Sequence, residues 1–157
     1  MGRLRVIAVG SRMPKWVRES YDDYITRLSP SLKVSLLEID PGNRSGGKSP
    51  QKAIESEAQR LLSAVRKDEY VVALDEHGVE MTTRELAAWL AKRLQDGSDL
   101  AFLIGGPDGF APEVLQRSNF KWSLSRLTFP HALVRVVLAE QLYRASGVLT
   151  NHPYHRE

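Results

Sequence analysis

Asp99-Leu100-Ala101-Phe102-Leu103-Ile104-Gly105-Gly106-Pro107-Asp108-Gly109 is an apolar, β-prone run that stops at a glycine-rich turn. It predicts a strand over Leu100 to Ile104 whose carboxyl end opens into a loop, where glycines let a ligand approach backbone amides that a Cβ would shield. A second punctuated loop, Ser123-Leu124-Ser125-Arg126-Leu127-Thr128-Phe129-Pro130-His131, goes with a short strand predicted over Trp122 to Leu124. Parallel sheets bind ligands outside the carboxyl ends of their strands, so the two loops are expected to open on one crevice.

Toward the N-terminus, Leu4 to Val9, Val34 to Ile39 and Val71 to Leu74 read as three further strands. The spacing predicts a helix over Lys15 to Leu28, entered through Pro14. Another starts at Ser49-Pro50, with Ser49 as N-cap and Ile54, Ala58, Leu61, Leu62 and Val65 on one face. Thr83 to Leu94 carries Leu86, Trp89, Leu90 and Leu94 at helical spacing, and Leu133 to Ala145 is the last helix. Strands alternating with helices predict an α/β fold with a mostly parallel sheet flanked by helices. The chain ends in Asn151-His152-Pro153-Tyr154-His155-Arg156-Glu157, rich in hydrogen-bonding, stacking and charged groups with almost nothing to pack.

At 157 residues and 42% hydrophobic, the chain fits one domain over 1–157 with a real core. Its formal charge of +3 is mild, but the positive residues bunch at Arg3 and Arg5, at Arg12, Lys15 and Arg18, at Arg44, Lys48 and Lys52, and at Arg156. That pattern suits nucleic acid as a partner. Zero cysteines exclude a disulfide scaffold, Cys-ligated zinc and a Cys nucleophile, and fit a reducing cytoplasm. With no N-terminal apolar leader and no run near the roughly 20 apolar residues of a membrane span, a cytoplasmic protein without a membrane is expected. The four histidines, His77, His131, His152 and His155, follow no H-E-x-x-H pattern, so no metal site is expected. Neither a G-x-S-x-G elbow nor a G-x-G-x-x-G after the first strand is present, which disfavours a serine hydrolase and an ordinary dinucleotide domain. Trp16, between Lys15 and Arg18, is the tryptophan best placed to stack on a base.

Gly42-Asn43-Arg44-Ser45-Gly46-Gly47-Lys48-Ser49 satisfies G-x-x-x-x-G-K-[ST] between a predicted strand and a predicted helix, the context a phosphate-binding P-loop requires. Val71-Val72-Ala73-Leu74-Asp75-Glu76 resembles the apolar strand ending in an acid that would hold magnesium opposite it. Together they would make a P-loop nucleotide hydrolase. Against this stands Pro50, which starts the helix after Ser49, whereas a phosphate cradle keeps its Lys and Ser in the first helical turn. The competing reading is a flexible basic loop.

The opening strand with Gly10-Ser11-Arg12-Met13-Pro14, the Leu103 to Gly109 loop, Leu124 to His131, Arg135 to Ala145 and the Asn151 to Arg156 end together closely resemble one family. It is the bacterial ribosomal large-subunit pseudouridine N3-methyltransferase H family, in the SPOUT superfamily, and the resemblance covers the whole chain. It implies a SPOUT-type α/β trefoil knot and a homodimer. It also implies S-adenosyl-L-methionine as cofactor, held by Leu74, Gly105, Leu124, Ser125, Arg126, Leu127, Thr128 and Phe129. The implied substrate is a pseudouridine of 23S ribosomal RNA in the assembled ribosome. Methylating its N3 requires removal of an imide proton or stabilisation of the anion. For that step His155 is expected as base or hydrogen-bond partner, Arg156 as stabiliser of carbonyl charge, and Tyr154 as a stacking platform. Arg144 corresponds to a family position facing the site, although an i,i+4 salt bridge with Glu140 is the other reading of that residue. Where the family carries a basic loop this chain has the P-loop pattern, and Arg44 and Lys48 are expected there as phosphate-backbone contacts.

Overall fold

The structure, a computed structural model, describes residues 2–28, 32–47 and 49–150. The elements in chain order are β1 (Leu4–Val9), α1 (Lys15–Thr26), β2 (Val34–Ile39), α2 (Pro50–Ala64), β3 (Tyr70–Glu80), α3 (Thr83–Gln95), β4 (Leu100–Ile104), α4 (Pro112–Arg117), β5 (Phe120–Ser123) and α5 (His131–Leu149). All five strands pair in parallel, in the order β2-β1-β4-β3-β5. Helices cover both faces. Period-two alternation sends Leu4, Val6, Ala8, Leu100, Phe102 and Ile104 to one side, with Leu86, Leu90, Leu138 and Leu142 of α3 and α5. Ile7, Val9, Ala101 and Leu103 face the other, with Ala58 and Leu61 of α2 and Val114 of α4. Trp89 stacks on Phe120 at 5.6 Å and Trp122 meets Phe102 at 6.3 Å, so both tryptophans are core groups, whereas Trp16 is 54% exposed.

Local chemistry sets the helix starts. Pro14 precedes α1 and its carbonyl accepts from Val17 and Arg18 N–H, while Ser49 precedes Pro50 at the first position of α2. Ser49 makes no side-chain cap bond. Thr82 and Glu85 form a reciprocal capping box at α3, with bonds of 3.1 and 2.8 Å. Several boundaries differ from the sequence reading. β3 continues to Glu80 because Leu74 and Val79 both pair with Trp122, looping out residues 75–78 between them. α4 went unread, since six residues give too little periodicity. α5 starts at His131 and runs to Leu149, and apolar side chains on all its sides left the ends without contrast.

Candidate active site

The bulge of β3 and the carboxyl ends of β4 and β5 surround a cleft of ≈ 390 Å³. Its wall is built by Leu74 to His77 at the bulge of β3, Ile104 to Phe110 at the end of β4, and Leu124, Ser125, Leu127, Thr128, Phe129 and His131 after β5, together with Leu115 and Val134. The two glycine- and proline-punctuated loops thus open on one crevice, as parallel-sheet geometry predicts. Of the eight expected cofactor residues, seven line this cleft; Arg126 is exposed and is not among its lining.

The loops are shaped by their own hydrogen bonds. Ser123 Oγ donates to the Ser125 carbonyl at 2.8 Å, and Ser125 Oγ accepts from Leu127 N–H at 2.9 Å, curling the chain so that Leu127 is 71% exposed. Thr128 Oγ1 donates to Glu76 at 3.1 Å, tying this loop to the bulge of β3. Gly109 N–H closes a turn on the Gly106 carbonyl at 3.1 Å. A Cβ on Gly105 would press on Gly109 and the Phe110 ring at 3.3 Å. At Gly106 a Cβ would lie 3.0 Å from Glu57 Oε1, so the space freed there is taken by a carboxylate of the protein and not by a ligand.

Glu57 went unassigned in the sequence. It is 2% exposed, accepts Gly42 N–H at 2.9 Å, and pairs with Arg44 Nη1 at 2.7 Å. Arg44 Nε also donates to Asp108 at 2.8 Å, and these two carboxylates raise the guanidinium above its ordinary pKa. The expectation that Arg44 contacts phosphate is therefore corrected, because its guanidinium is committed to Glu57 and Asp108. The nucleotide-hydrolase alternative for Gly42 to Ser49 is corrected with it. Ser49 is extended, the helix begins after the pattern, and the Gly42 amide points at a buried carboxylate that would repel a phosphate. Lys48 lies outside the described residues. Among the described residues no group of three or more His, Cys, Asp and Glu converges to hold a metal. Arg5 is likewise committed, to Glu69 and the Ala64 carbonyl.

His131, in the first turn of α5, forms part of the wall. Burial, with the charges of Arg135 and Arg44, lowers its pKa against the opposing effect of Glu57, so it is neutral at pH 7. Behind it Arg135, 2% exposed, bonds Glu38 at 2.5 Å and the Gly10 carbonyl at 2.7 Å, clamping the loop after β1 against α5. The motif around His131 was legible, but its place in the wall depends on where α5 begins. Arg144 pairs with Glu140 at 2.9 Å. It lies ten residues beyond Val134 in one helix, about 15 Å along the axis, so it is apart from the cleft of its own chain. Tyr154, His155 and Arg156 lie outside the described residues.

Residues 2–155 match the family described as "Predicted SPOUT methyltransferase", which gives the class that this fold and cleft represent. A methyltransferase structure from Legionella pneumophila with bound SAM shares the fold, with a TM-score of 0.51 at 8% identity, covering 92% of this chain and 66% of that one. The ribosomal RNA large subunit methyltransferase H of Alkalilimnicola ehrlichii is 52% identical over 154 residues, 98% of this chain and 99% of its own. The enzyme of the same name from Methylococcus capsulatus is 49% identical over the same shares. The chain belongs to the ribosomal RNA large subunit methyltransferase H family.

Proposed function

We propose that this protein transfers a methyl group from S-adenosyl-L-methionine to N3 of a pseudouridine in 23S ribosomal RNA. The observation that carries this reading is the cleft lined by seven of the eight residues expected to hold the cofactor, in a chain 52% identical to a ribosomal RNA large subunit methyltransferase H. The residues fit the group. A volume of ≈ 390 Å³ falls in the range of small-molecule sites. Leu74, Ile104, Leu124 and Phe129 offer apolar walls for an adenine, and Asp75 and Glu76 offer negative charge to a cation. When bound, this cofactor supplies an electrophilic methyl on a sulfonium.

The protein's part is to hold the base, exclude water and manage the imide proton. His155 takes that proton or its hydrogen bond, Arg156 stabilises the carbonyl charge that develops, and Tyr154 stacks on the base. A second reading of the base is His131, which lines the cleft and is neutral at pH 7. Exposed Arg12, Lys15, Trp16 and Arg18, between β1 and the first turns of α1, form the RNA-docking patch.

The working unit in this reading is a homodimer. Leu133 and Val137 stay only half-buried on α5 and belong to neither core cluster, on the same face as Glu140 and Arg144. Arg144 then serves the cleft of the partner, to which the distance along its own helix is no obstacle. The trefoil knot belongs to the same reading, supported by the return of α5 from the β5 edge to pack against both α1 and α3. No helix among the described residues is long and apolar enough to cross a membrane, which accords with work on ribosomes in the cytoplasm.

Calorimetric titration with S-adenosyl-L-methionine, and separately with ATP and magnesium, tests the cofactor. Binding of the first alone, lost in Gly105→Leu, is expected. Labelled methyl transfer to ribosomes then tests the substrate, and ribosome binding without transfer would reduce the protein to an RNA-binding module.

A further inference from the structure

Arg44 links two carboxylates at the edge of the cleft. Its guanidinium reaches a buried carboxylate on one side, Glu57 of α2 at 2.7 Å, and a cleft-lining carboxylate on the other, Asp108 at 2.8 Å. Glu57 also holds Gly42 N–H at 2.9 Å, and a Cβ on Gly106 would lie only 3.0 Å from its Oε1. The loop before α2 and α2 itself therefore meet the distant Gly105 to Gly109 turn on one ion-pair chain. Arg44 has only part of its side chain exposed, at 24%, and its partner Glu57 only 3%. Two carboxylates this close to the same loop repel one another unless a cation lies between them. A planar guanidinium serves both at once, which a point-charge ammonium cannot do with the same geometry.

We propose that Arg44 is a positioning residue for the methyl-donor site: by bridging Glu57 and Asp108 it fixes the Gly105 to Gly109 turn in the conformation that receives the cofactor. This rests on the cofactor reading above. Without the bridge, Asp108 turns away from Arg44, the turn samples other conformations, and binding must first select the competent one. The apparent affinity falls by the fraction of molecules in that state. The loop that carries the P-loop letters thus acts on the cofactor site from behind, through an ion pair, with no nucleotide of its own.

The test measures S-adenosyl-L-methionine binding by calorimetry in the full chain for Arg44→Ala, Arg44→Lys, Asp108→Asn and the double variant Arg44→Ala/Asp108→Asn. Each single substitution is expected to raise Kd about tenfold, and the double variant to be no worse than Arg44→Ala, since both remove one interaction. In methyl-transfer assays KM for the cofactor rises while kcat holds, which a general loss of folded protein would not produce. Arg44→Ala leaves Glu57 buried and unpaired, so should it fail to fold, Arg44→Lys and Asp108→Asn carry the comparison. Weakening in Asp108→Asn with unchanged affinity in Arg44→Lys would overturn the proposal, because Asp108 would then act on the cofactor directly. Additive losses in the double variant would overturn it too. If the unaltered protein binds no S-adenosyl-L-methionine, it is the cofactor reading that fails.

Discussion

Glu57 is a carboxylate on the apolar face of a helix, four residues after Ala53 and four before Leu61, both buried. That anomaly in an otherwise amphipathic pattern was the one signal in the sequence for the buried ion pair, and only the fold brings Arg44 and Gly106 to it. The contact with Gly106 is tight: a Cβ there meets Glu57 at 3.0 Å and Val9 at 3.2 Å. Gly106→Val is expected to cost about 1–3 kcal/mol by overpacking, read as a lower urea midpoint at unchanged slope. Glu69 gives a second test at this scale. Burial pushes its carboxyl up, but the Arg5 side chain and the Arg66 N–H outweigh that and hold it below the usual carboxylate range. A lowered folded pKa means the pair's stabilisation is complete above the unfolded value of about 4.3 and is lost as pH falls through the lower folded value. Denaturation at pH 7 and pH 3 should therefore show Glu69→Gln losing less stability on acidification than the unaltered chain. At pH 7 the same substitution should cost about 3 kcal/mol, because Arg5 loses its carboxylate and keeps only the Ala64 carbonyl.

The elements differ in how much of themselves they announced. β1, β2 and β4 were read to the residue, since short apolar runs bounded by polar turns leave little choice of ends. The capping box at α3 sets that helix start by purely local bonds. Thr82→Ala should lower stability by about 1 kcal/mol without touching the cleft, checked by thermal unfolding alongside unchanged cofactor binding. β3 was cut short in the sequence reading because Asp75-Glu76-His77-Gly78 has no strand character. Its continuation exists only because Trp122 of β5 pairs on both sides of the bulge. The bulge matters to the site, since it carries Asp75, Glu76 and His77 into the wall. It is also clipped to the β5 loop by the Thr128–Glu76 bond. That bond links two exposed groups, so Thr128→Val is expected to leave global stability within about 0.5 kcal/mol. Any change it makes in cofactor binding would then reflect the cleft, through the loop or the lost Thr128 hydroxyl, and not unfolding.

At the scale of the whole molecule the charge distribution is plainer than the residue count. Two of the basic positions first grouped with a nucleic-acid surface, Arg5 and Arg44, are tied up in internal ion pairs. The exposed patch is Arg12, Lys15 and Arg18, with Trp16 among them. Arg12→Ala/Arg18→Ala should weaken ribosome binding, shrink its salt dependence, and leave calorimetric affinity for S-adenosyl-L-methionine unchanged. A dimer makes its own prediction. Mixing a Gly105→Leu protomer, dead in the cleft, with an Arg144→Ala protomer should restore methyl transfer to ribosomes in the hybrid if the partner's Arg144 serves the cleft. Sedimentation at micromolar concentration should show two chains.

What the sequence determined by itself was local and periodic. Alternation of strand and helix, the apolar runs, the proline-marked helix starts and the two loops at strand ends all follow from propensities and spacings that act over a few residues. The pairing of those loops into one cleft also followed, because a parallel sheet puts all its strand ends on one side. Tertiary structure alone decided the partners of the charges. Whether Arg44 meets a phosphate or a carboxylate depends on α2 delivering Glu57 beneath Gly106, 49 residues further along the chain in a separate element. Electrostatic pairing between segments so far apart leaves no period and no local motif; it is fixed only when packing removes water from between them.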